Sequence, residues 1–145
     1  MLDSLKERVS RITSFHFTAK SGPGSKMHWN GHAKGSVSIT SDGKSVTFFE
    51  TGLFYANTSA KPLKQKNVYR WEFCENHISV YQERRDTPVF LVKLIEEGNA
   101  WKSQKDHHCG NDFYSLLMKI KDNEISATWT IHGPKKEELL EYVYM

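Results

Sequence analysis

MHWNGHAKGSVSIT, residues 27–40, decides the fold class. Read with a period of two, Trp29, Gly31, Ala33, Gly35, Val37 and Ile39 share one face, and His28, Asn30, His32, Lys34, Ser36 and Ser38 share the other. Successive strand residues point to opposite faces, so this alternation describes a strand buried on one side. Gly31 and Gly35 would weaken a flat strand. On the buried face they suit a sharp bend or a close backbone approach in a sheet that closes on itself.

The same period continues in both directions. Upstream, RITSFHFTAK (11–20) reads as a strand and SGPGS (21–25) as a turn. Before it, Leu2, Leu5 and Val9 fall near helical spacing, with Asp3 or Ser4 as the cap of a short helix. Downstream, SDG (41–43) is a hairpin signal, and SVTFFETGLFYA (45–56) is a strand with aromatic residues on both faces. NVYRWEFCE (67–75) puts Tyr69, Trp71 and Phe73 together, and Glu75–Asn76 turns into HISVYQER (77–84). RDTP (85–88) punctuates before the apolar VFLVKLIEE (89–97), and EGN (97–99) turns again. AWKSQKDHHC (100–109) reads as one strand and GND (110–112) as its turn or bulge. FYSLLMKIK (113–121) aligns Tyr114, Leu116, Met118 and Ile120; KDNE (121–124) is a hairpin signal; ISATWTIHG (125–133) aligns Ile125, Ala127, Trp129 and Ile131. KKEELLEYVYM (135–145) suits a helix at its start and a strand at its end. About nine closely spaced strands with no long helix predict an all-β antiparallel up-and-down barrel of about 8–10 strands. Closure removes the edges that would otherwise invite association.

At 145 residues, 38% hydrophobic and 12% aromatic, the chain is expected to form one domain, 1–145, with a core of its own. A net charge of +3 is too small to argue for nucleic acid, and the basic clusters at 61–66, Arg84–Arg85 and Lys135–Lys136 read as solvated turns and edge protection. No apolar run approaches the length of a membrane-spanning helix, and the N-terminal residues carry no apolar signal core. The expectation is a cytoplasmic monomer or weak homodimer with no membrane or nucleic-acid partner, in which Cys74 and Cys109 are free thiols.

A set of residues spread over the chain resembles an uncharacterised family, domain-of-unknown-function family 6314, which is predicted to be lipocalin-like or calycin-like. They are Arg11–Ile12; Trp29, Gly31 and Gly35; Glu50–Thr51–Gly52; and Tyr69–Arg70–Trp71. His107, Cys109, Asp112 and Tyr114 follow as H-x-C-x-x-D-x-Y, and then Trp129, Gly133–Pro134, Lys136 and Tyr144. The resemblance implies a barrel and supplies no activity. The chain departs from the family pattern where a Phe-His pair is expected, since Phe90 is followed by Leu91, and where Met145 rather than arginine follows Tyr144.

KDHHCGNDFY (105–114) is the densest cluster of reactive side chains. On a strand, His107 and Cys109 share a face and His108 points away. The pair could hold part of a zinc site, yet no second pair completes four ligands. His107 is also the one inward candidate for a haem ligand, because His16, His28, His32, His77 and His132 fall on polar phases. Neither cofactor is expected. Adjacent strand residues cannot form a Cys-His-Asp triad, and no Gly-rich phosphate loop is present. Asp112 and Tyr114 continue the apolar phase of Leu116, Met118 and Ile120, and Glu50 that of Phe48 and Phe54, so these polar groups are expected inside the barrel, with Arg70 or Lys136 as partner. The stretch is then a strand–turn–strand corner whose polar side chains point into or across a barrel end. Three functions fit. One is a binding module whose ligand candidates are Glu50, Tyr69, Arg70, Trp71, His107, Cys109, Asp112, Tyr114, Trp129, Lys136 and Tyr144. The second is an enzyme using His107, Asp112 or Tyr114 as acid or base, and the third is a solid-cored structural or interaction protein.

Overall fold

The computed structural model describes residues 2–58, 61–84 and 87–145, with side chains from Leu5 onward. The expected caps Asp3 and Ser4 lie outside the described side chains, and Arg85 of the 85–88 turn outside the described residues. The helix α1 (Leu2–Val9) is followed only by strands: β1 (Ser14–Ser21), β2 (Gly31–Ser41), β3 (Ser45–Ala56), β4 (Leu63–Phe73), β5 (Ile78–Arg84), β6 (Thr87–Glu97), β7 (Ala100–Ser103), β8 (His107–Cys109), β9 (Asp112–Lys121), β10 (Glu124–His132) and β11 (Glu137–Tyr144).

Each strand pairs antiparallel with its neighbours, and β11 pairs with β1 while β9 pairs with β10 and β7, so the sheet closes on itself. Ten strands form the ring. The eleventh, β8, continues the line of β7 along β9. The expected single strand at 100–109 is therefore broken at 104–106. Trp101 faces Met118 but His107 faces Tyr114, a slip of two residues. An even slip preserves parity, so Trp101, His107 and Cys109 all keep the same side. The ambiguous C-terminal stretch resolves as strand, because Leu140, Tyr142 and Tyr144 alternate toward the lumen and must be sealed between β1 and β10. β2 starts at Gly31, so Trp29 precedes the strand instead of opening it.

Gly35 lies opposite Gly52. A Cβ at Gly35 would strike the Thr51 carbonyl oxygen and stand 2.6 Å from Phe15 Cε1 and 2.8 Å from Gly52 Cα. The glycine pair thus lets β1, β2 and β3 bend closely over Phe15. Positive φ at Gly43, Gly98, Gly110 and Asp122 marks four hairpins read from sequence.

The two halves of the barrel differ. At one end Val46, Phe48, Trp71, Ile78, Leu94, Met118 and Ile125 fill the lumen, and Leu5 and Val9 of α1 pack against this core. An eight-residue helix is too short to persist alone. Burying these two side chains, at about 2 kcal/mol each, holds it as the plug of that end. The other end is hollow.

Candidate functional site

The hollow half encloses a cavity of about 620 Å³ that opens at the end opposite α1. Strand alternation decides what lines it. Phe17 and Ala19 of β1, Trp129 and Ile131 of β10, and Leu140 and Tyr142 of β11 form an apolar wall. Across from it, Gln65, Asn67 and Tyr69 of β4 and Gln82 and Arg84 of β5 form a hydrogen-bonding wall. β8 and β9 complete the circuit with His107, Cys109 and Tyr114. A one-residue bulge in β6, where Val80 faces Val92 but Tyr81 faces Phe90, leaves Leu91 unpaired and turned into the cavity.

His107 stands beside that bulge, its ring near the Leu91 backbone. Burial and the nearby Arg84 charge lower its pKa, so the ring is neutral at neutral pH and offers one donor and one acceptor nitrogen. His108 points outward, its ring 4.3 Å from Phe113. The reactive stretch is thus divided: His107 and Cys109 face the lumen, and His108 faces solvent.

Asp112 and Lys136 sit at the rim and do not line the cavity. Their side chains are 3.3 Å apart, and Lys136 also reaches the Tyr114 hydroxyl and lies 5.8 Å above the Trp29 ring centre. Partial burial disfavours the Lys136 charge, but the bonds to Asp112 and Tyr114 outweigh it and hold its pKa above the usual lysine value. A Cβ at Gly133 would collide with the Asp112 carboxylate, which accounts for the glycine there.

Arg70 is a correction. It was expected beside Asp112, but its even position on β4 puts it on the outer surface. There it pairs with Glu83 at 2.9 Å and Glu72 at 3.1 Å and stacks 4.4 Å from the Tyr81 ring centre. Trp71 does face inward but belongs to the filled half, packed on Phe48, and Phe73 is in the same layer. His28 is exposed, as expected, and stands at the mouth of the cavity with Trp29 and Asn30.

Glu50 lies beneath the cavity floor, fully buried, where it accepts a 2.6 Å hydrogen bond from the Tyr144 hydroxyl; its Oε1 has no partner. Burial raises its carboxyl to about 7, with the Tyr144 bond opposing. The Tyr69 and Tyr142 hydroxyls face each other, and burial followed by the Glu50 charge raises the pKa of Tyr69. Burial likewise raises Tyr142 and Tyr144, so the three phenols stay neutral. Glu50 and Tyr144 support the floor that Tyr69 and Tyr142 present to the cavity.

The sequence reading missed Gln65, Asn67, Gln82 and Arg84, although each shares parity with an inward residue it had identified on the same strand or its partner. It also missed Glu138, buried at the inner end of the 22–30 loop. Its Oε1 accepts from Ser25 Oγ at 2.6 Å and Ser21 Oγ at 3.2 Å. That loop is tied down further by Lys26 N–H to the Lys135 carbonyl and by Trp29 N–H to Ser21 Oγ, so the mouth has a fixed frame. Among the described residues no three His, Cys, Asp or Glu side chains gather as metal ligands. Both cysteines are free, and no helix among the described residues is long and apolar enough to cross a membrane.

Residues 15–145 match a family described only as a family of unknown function, DUF6314. The chain belongs to that family. No curated protein and no solved structure matches it significantly. In this DUF6314 barrel, Leu91 stands where the resemblance expects histidine, and it lines the cavity beside His107.

Proposed function

We propose that this DUF6314 protein is a small-molecule-binding barrel of lipocalin-like design. The observation that carries the reading is the cavity of about 620 Å³ with one apolar wall and one hydrogen-bonding wall. Ligand sites are concave, mostly apolar and about 300–1,000 Å³, with a few placed polar groups. The space would hold about 20 waters at ~30 Å³ each, enough for a drug-sized molecule. A protein needing only a stable core would fill this half as it fills the other, because interiors pack to crystal-like density. Two free cysteines favour a reducing compartment, supporting a cytoplasmic site of action.

The test is native mass spectrometry of protein isolated from its own source, compared with its denatured mass, alongside an Ala19→Trp variant. Ala19 lines the apolar wall, so an indole there occupies the cavity. Retained mass in the wild type that is absent from a folded Ala19→Trp variant supports the reading. Retained mass equal in both places the ligand elsewhere and refutes it.

A further inference from the structure

The wall chemistry narrows the class of ligand. Among the described residues no aspartate or glutamate lines the cavity, and Arg84 is the one arginine or lysine that does. It stands at the mouth end of β5, where its Nε donates to Gln82 Oε1 at 2.8 Å. That bond uses one of five guanidinium N–H donors and sets the direction of the side chain. No carboxylate among the described residues pairs with it, whereas Arg70, on the neighbouring strand β4 and facing outward, has two. Gln65, Asn67 and Gln82 add amide N–H donors on the same wall. The neutral His107 adds no competing charge. Opposite them, Phe17, Ile131 and Leu140 offer only apolar surface.

Resting on the binding reading above, we infer that the ligand is an amphipathic organic anion, its anionic group held by Arg84 at the mouth and its apolar body laid against the β1–β10–β11 wall. Among the described residues the guanidinium has no counter-charge at the mouth, which an uncharged ligand would not supply, and a cation would be repelled by it. An anion gains charge-assisted hydrogen bonds from a donor whose direction Gln82 has already set. The side chain is exposed, so solvent screens the pairing, and its contribution to affinity is expected to shrink as salt is added.

The probes are 1-anilinonaphthalene-8-sulfonate and N-phenyl-1-naphthylamine, which share a ring framework and differ by the sulfonate. Each is titrated by its fluorescence against wild type, Arg84→Gln and Arg84→Lys, with Ala19→Trp as the cavity-blocked control. Wild type is expected to bind the anionic probe about tenfold more tightly than the neutral one at low salt. Arg84→Gln should bind both alike with the neutral affinity unchanged, and Arg84→Lys should keep most of the preference. A preference that survives in Arg84→Gln, or its absence in wild type, overturns the assignment of Arg84 and leaves the cavity reading standing. If neither probe binds, or Ala19→Trp binds both as well as wild type, the cavity reading falls and the anion goes with it.

Discussion

Replacing Glu50 with glutamine should change how stability depends on pH. In the folded barrel, burial raises this carboxyl from 4.5 to about 7. The native state therefore keeps a proton that the unfolded chain has already released. Stability from this group is complete below about pH 4.5 and is lost as pH rises through 7. The 2.5-unit gap, at about 1.4 kcal/mol per unit, gives a loss of roughly 3 kcal/mol by pH 8. Glutamine cannot titrate, yet its amide oxygen can accept the Tyr144 hydroxyl as the protonated acid does. Urea unfolding of wild type and Glu50→Gln between about pH 5 and pH 8 isolates the effect, because every other titrating group cancels in the difference. Relative to the variant, the wild type should lose roughly 2–3 kcal/mol across that range. A difference that stays flat, or one in which the wild type gains with rising pH, would refute the burial argument.

Gly35→Ala should destabilise the barrel by about 3 kcal/mol or prevent folding, since the colliding partners include the Thr51 carbonyl and the backbone of Gly52, which cannot rotate away; wild-type thermal stability in this variant would show that the sheet can open at the bend. Asp112→Ala should cost only about 1 kcal/mol in urea unfolding, because its pair with Lys136 is partly solvated at the rim. A loss of several kcal/mol would mean that the carboxylate supports the mouth more than this geometry allows.

The sequence yielded the fold where alternation was long and unbroken. In β2 and β10 the inward residues could be read directly, since a buried face admits one register. Parity also separated His107 and Cys109 from His108, because the slip between β7 and β8 is even. It could not place Leu91, whose direction is set by a bulge that leaves no mark in composition. Arg70 was misplaced for another reason. It lies between two inward aromatic residues, and the expectation that it meets Asp112 set aside the alternation that sends it outward. Arg84 and the amides of β4 went unread because polar residues near strand ends resemble solvated turns. Only the closed ring shows that β4 and β5 form one wall of a hollow. The division into filled and hollow halves is likewise a property of ten strands together, and no single strand encodes it.

The plug formed by α1 has a kinetic consequence. With the other end filled, what occupies the cavity exchanges through the open end, which Trp29 and the 22–30 loop border. Arrival and departure then share a transition state. Changes that loosen the Ser21–Ser25–Glu138 ties of that loop should speed both rates together and leave the equilibrium nearly where it was, while changes on the cavity walls shift the equilibrium chiefly through the rate of escape. In this barrel the mouth governs how fast exchange occurs, and the walls govern what stays.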